Sequence, residues 1–244
     1  MGNKRCGDVV GSVPKSPRPD AYEAFHYEHG DTVDVIVTLT GHITRTEAID
    51  IAHIIAERGT PGGTVAIIGP DPRINAVPIL WHGLETALQN NTKIGTFILK
   101  TVILDMALDD ILPINATTLI VNDCIGFEIG DVFDKKNLSK IVIDNSGIIA
   151  RDLTDAIISN VPITTTPETA LDVTVRSLHA TDSDIERLSA FHIVAAESRP
   201  LLKMSLSAID GDGQVIPWKK QSDIDPGHIA DIKRAFIGRT RPFE

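Results

Sequence analysis

The chain has 244 residues, with 23 Lys and Arg against 33 Asp and Glu, a formal charge of −10. At 42% hydrophobic residues it can bury a sizeable core, which excludes wholesale disorder. No apolar run approaches the roughly 18 residues of a membrane span, two cysteines are too few for a disulfide framework, and the acidity argues against tight nonspecific nucleic-acid binding.

Segment 1–31 carries Gly, Pro and Ser without periodicity and reads as a flexible N-terminal arm. It lacks the apolar core of a signal peptide, so the expectation is a cytoplasmic protein. The β-branched run 33–40 predicts the first strand. Thr44-Arg45-Thr46-Glu47 fits a capping box that opens a helix. Ile51, Ile54 and Ile55 form its apolar stripe, and Gly59 suits its end. Segment 64–68 predicts a buried strand and 74–89 a helix, with Pro78 near a kink or first turn. Strand character returns at 97–104, at 117–121 before Asn122-Asp123, and at 140–143 before Asp144.

Helices are expected at 148–159, from the turn at Thr165-Thr166-Pro167-Glu168 onward, and from a second capping box, Ser183-Asp184-Ile185-Glu186, to about 197. After Pro200, segments 204–209 and 214–218 flank Asp210-Gly211-Asp212-Gly213 and predict a β-hairpin. A last helix is expected at 226–237. Strands that alternate with helices and are apolar throughout predict an α/β fold, a doubly wound and mainly parallel sheet covered on both faces. The expected division is an arm at 1–31, an α/β domain at 32–200, and a hairpin-plus-helix appendage at 201–244.

In such a sheet the chemistry sits at the carboxyl ends of the strands. Three predicted strand ends carry an aspartate: Asp71 in Gly69-Pro70-Asp71-Pro72-Arg73, then Asp123, then Asp144 in Asp144-Asn145-Ser146-Gly147. Singly, each is an ordinary loop or cap residue. Converging carboxylates, however, need a cation between them, a metal or an Arg or Lys side chain.

Over about residues 44–200 this order and spacing resembles the DHH phosphoesterases, the RecJ-like nucleases in particular. That family has His-x-Asp-x-Asp-Gly after a strand, then a lone strand-end Asp, then Asp-His-His, then a Ser/Thr-rich turn and a fourth acidic position. The corresponding positions are Asp71 with Arg73, then Asp123, then Asp144-Asn145-Ser146, then segment 164–168, and Glu197. The resemblance implies a site that once held two divalent metals, usually manganese. Gly69 stands for the motif His, Arg73 for the second Asp, and Asn145 and Ser146 for the two histidines. Asn and Ser are poor substitutes for imidazole at a transition metal, so no metal and no cofactor is expected. The family's Gly-Gly-Gly-His-like substrate segment has no counterpart either.

The degenerate eukaryotic member of this kind is a noncatalytic partner of the MCM helicase and the GINS complex, and archaeal RecJ-like relatives also bind GINS. The resemblance therefore implies a scaffold that binds the GINS complex, with the MCM helicase and single-stranded DNA as further partners. The alternative is a metal-dependent phosphoesterase or single-strand nuclease with a reduced site of Asp71, Asp123, Asp144 and Glu197.

Other motifs carry less. None of the eight histidines pairs at i, i+4 metal spacing. Asp210-Gly211-Asp212-Gly213 lacks the downstream Glu of a calcium loop. Ser146-Gly147 lacks a nucleophile elbow. No phosphate-binding loop occurs, and the basic residues Lys233, Arg234, Arg239 and Arg241 read as a solvated face.

Overall fold

The computed structural model describes residues 25–28, 33–70, 80–130, 132, 137–144, 146, 153, 171–177, 181–198, 202–209, 212 and 214–237. Nine described strands form one sheet in which neighbours in sequence are neighbours in space. They are β1 (Phe25–Glu28), β2 (Val35–Leu39), β3 (Gly63–Ile68), β4 (Ile94–Lys100), β5 (Thr118–Asn122), β6 (Lys140–Asp144), β7 (Leu171–Ser177), β8 (Leu202–Ile209) and β9 (Val215–Ile216). The seven from β2 to β8 are parallel, and β1 and β9 close the two edges antiparallel. Four described helices accompany them: α1 (Arg45–Arg58), α2 (Leu84–Gln89), α3 (Asp182–Ser198) and α4 (Pro226–Ile237). The fold is thus α/β around a seven-strand parallel sheet.

The register builds two apolar rows on one face. Val35, Val65, Phe97, Leu119, Ile141 and Val173 are successive partners, as are Val37, Ile67, Leu99, Val121, Ile143 and Val175. Both rows join Ile51 and Ile55 of α1, Leu84 and Leu88 of α2, and Phe191 and Val194 of α3 in a single core. Burial of each such side chain is worth roughly 1.5–3 kcal/mol, so this face carries most of the stabilisation.

The other face is different. Its middle row joins Ile36, Ala66, Ile98, Ile120, Val142 and Thr174, register partner to partner. None of these belongs to the core, and all but Ala66 are only half-buried. The parallel sheet flanked by helices is compatible with the expected α/β winding. Among the described strands the order does not reverse, and right-handed crossovers in one direction return across one face.

Several sequence expectations hold locally. Thr44 and Glu47 form the reciprocal cap of α1. The hairpin after Pro200 is β8 and β9, and α4 spans the expected 226–237.

Others are corrected. Part of the supposed N-terminal arm is a strand, since β1 pairs with β2. The cap of α3 is Thr181 with Asp184, two residues before the expected Ser183 with Glu186. Within the described part of segment 74–89, helix is confined to Leu84–Gln89, after a left-handed Gly83. β7 stands where a helix was expected to be running. β8 pairs in parallel with β7 as a further strand of the same sheet, so the boundary at residue 200 does not separate an appendage. The expected helix at 148–159 and the turn at 165–168 lie outside the described residues, apart from the helical Leu153.

Candidate functional site at the carboxyl edge of the sheet

The candidate site lies where β3 to β7 end. Their last in-register row joins Ile68, Lys100, Asn122, Asp144 and Arg176. One residue further on, the ladder continues through single backbone bonds. Gly69 N–H donates to Lys100 O at 2.8 Å, Thr101 N–H to Asn122 O at 2.9 Å, and Asp123 N–H to Asp144 O at 3.0 Å. Thr101 and Asp123 both take φ of 53° there. That left-handed region is uncommon for non-glycine residues and least suited to a β-branched one. It persists where the surroundings over-determine it. Thr101 Oγ1 donates to Gly69 O at 2.7 Å, and Gly69 permits the approach because a Cβ on it would lie 2.5 Å from Thr101 O. Beyond the kinks the two chain segments stay side by side, bridged at Ile103–Ile125 and Ala107–Glu128.

Asp123 and Asp144 are therefore brought together, on adjacent strand ends. Ser146 joins them but faces inward. It is 1% exposed, its Oγ accepts from Cys124 N–H at 3.1 Å, and it donates to Asp144 O at 3.0 Å. The hydroxyl is committed to two backbone groups. Asp71, Arg73 and Asn145 lie outside the described residues. Glu197 is not part of the cluster. It lies in the last turn of α3, which returns the chain to the amino edge of β8, and it pairs with Lys233 of α4 at 3.0 Å.

Sequence reasoning missed the cation that meets Asp144. It is Arg176, at the end of β7, with Nε 3.7 Å from Asp144 Oδ1. The signal was present: segment 171–176 alternates apolar and polar residues at the strand period.

Cys124 lies beneath this edge, fully buried. Burial pushes its thiol up to about 12, outweighing the lowering effect of hydrogen bonds to backbone at Val102 and Asn122. At neutral pH it is a protonated core residue rather than a nucleophile. Among the described residues no group of three or more His, Cys, Asp or Glu is placed to hold a metal ion, and no helix is long and apolar enough to cross a membrane.

A surface groove of 380 Å³ lies elsewhere, lined by Ala52, His53 and Ala56 of α1 and by Asn90, Thr92 and Lys93 ahead of β4. It sits at the amino edge of the sheet, and Lys93 Nζ already donates to Ala56 O at 2.6 Å across it. The carboxyl edge thus presents alternating charge on half-exposed side chains, an arrangement suited to binding.

Compared with known proteins, the chain matches no family model, and no curated protein or solved structure matches it significantly.

Proposed function

We propose that the chain works by binding rather than by metal-dependent hydrolysis, as a noncatalytic scaffold of the DNA replication machinery. One observation carries the noncatalytic part: Arg176 at Asp144. A two-metal centre holds its ions roughly 3.5–4 Å apart around the reacting phosphate. A guanidinium 3.7 Å from one Asp144 oxygen adds positive charge where those ions would enter. Ser146, which stands at a family ligand position, has its oxygen bound to backbone. The partner is named from the sequence resemblance alone: the GINS complex, and through it the MCM helicase.

Two measurements test the two parts separately. The purified chain with manganese or magnesium is offered single-stranded DNA, short RNA and dinucleotides, and no turnover is expected. Cleavage that Asp144→Ala abolishes would replace the scaffold reading with a phosphoesterase of reduced site. GINS subunits should co-purify with the chain, and their absence would remove the replisome assignment while leaving the noncatalytic reading intact.

A further inference from the structure

We propose that two copies of this chain pack face to face through the half-buried face of the parallel sheet, about a two-fold axis that runs over its middle row. The face has an apolar centre in Ile98, Ile120 and Val142, each half-buried and, among the described residues, outside the core. Its charges are arranged within single strands. On β6, Lys140 and Asp144 lie on either side of Val142, all three on this face. On β7, Asp172 and Arg176 lie on either side of Thr174 in the same way.

A strand with opposite charges at equal distances from its midpoint is complementary to itself when turned antiparallel. The proposed axis does this to every strand. Lys140 then meets the second copy's Asp144, and Asp172 meets the second copy's Arg176. Ile98, Ile120 and Val142 each meet their own counterparts. An axis along the strands, placed between β6 and β7, would also match the charges, but it would set Ile120 against Ser205 and leave Ile98 beyond the opposing parallel strands.

The dimensions suit a second copy. Seven strands spaced ~4.8 Å apart and five residues long at ~3.3 Å each span a flat area of roughly 500 Å². Side-chain relief raises this to the order of the ~800 Å² per partner of a standard interface. Aligned sheets pack about 10 Å apart, with the apolar row at the centre and the charges at the rim, as in stable interfaces generally. An isologous two-fold contact also closes, which prevents open assembly along the face.

The test is the oligomeric state of the full chain, by light scattering and sedimentation over a wide concentration range. The wild type should dimerise. Lys140→Asp alone sets Asp against Asp at both contacts, and Asp144→Lys alone sets Lys against Lys. Each should weaken the dimer by on the order of tenfold or more. An equimolar mixture of the two variants restores opposite charges at both contacts and should recover the dimer. A monomeric wild type, variants that dimerise as tightly as wild type, or a mixture that stays dissociated would each overturn the proposal; the last would also be the result for the axis along the strands. If a charge variant does not fold by circular dichroism, Thr174→Glu reads the same geometry. It brings two carboxylates together on the axis, so loss of the dimer supports the proposal and persistence overturns it.

Discussion

Asp144 Oδ1 lies 3.7 Å from Arg176 Nε, and the two residues are register partners on adjacent parallel strands. Their side chains are 36% and 53% exposed, so water screens the attraction. Exposed pairs contribute ~0.2–1 kcal/mol. A double-mutant cycle of Asp144→Ala and Arg176→Ala, followed by urea unfolding, should give a coupling energy below about 1 kcal/mol, falling further in high salt. A coupling of several kcal/mol would mean that the pair is desolvated.

Gly69, just after β3, lies close against the backbone of the segment after β4. A Cβ there would meet Thr101 O at 2.5 Å and Val102 Cα at 3.0 Å, both backbone atoms that cannot turn aside. Gly69→Ala should cost ~1–3 kcal/mol. Gly41→Ala, where a Cβ meets nothing within 4 Å, should stay within about 0.5 kcal/mol of wild type. Chemical denaturation midpoints of the two variants decide it, and equal midpoints would contradict the close approach.

Asp123 has φ of 53°, which a β-branched residue tolerates poorly and glycine tolerates freely. Asp123→Val should therefore destabilise the chain by about 1–3 kcal/mol, and by more than Asp123→Gly. Thermal melts rank the three proteins. A valine variant as stable as the glycine variant would show that this backbone carries no strain.

Glu186 of α3 fastens the C-terminal segment. It accepts from Asp225 N–H at 3.0 Å and from Lys219 Nζ at 3.1 Å. The Asp225 N–H first, then Lys219, hold its carboxyl below the ordinary value of 4.5. A carboxyl depressed in the folded state stabilises fully above its unfolded value and loses that contribution as pH falls through the folded one. Docking of α4 should therefore weaken as pH drops below about 4.5. Trp218, stacked on His192 at 6.0 Å between ring centroids, gives a fluorescence readout of the same segment. Glu186→Gln should remove this acid dependence, and an unchanged acid transition in that variant would assign it to another group.

The sequence alone determined the local elements, because their causes are local. Thr44 and Glu47 satisfy free amides three residues apart, so the cap of α1 could be read directly. β-branched runs marked most of the strands, and the Gly-rich turn marked the β8–β9 hairpin. β7 was readable too, since Asp172, Thr174 and Arg176 alternate with buried residues; expecting a helix there hid it, and Arg176 with it.

Strand order was not readable. Segments 117–121 and 140–143 look equally apolar, and periodicity says nothing about which strand lies beside which. Only the tertiary register showed that the order is sequential, that Val121 and Ile143 face the core, and that Ile120 and Val142 face away from it. The site divided in the same way. Aspartates at strand ends are visible as letters, and Asp123 and Asp144 do meet. Glu197 resembled a fourth ligand, but α3 carries it to the opposite edge, where Lys233 neutralises it. Which cation reaches a carboxylate depends on contacts between residues far apart in the chain, and those exist only once the sheet has closed its register.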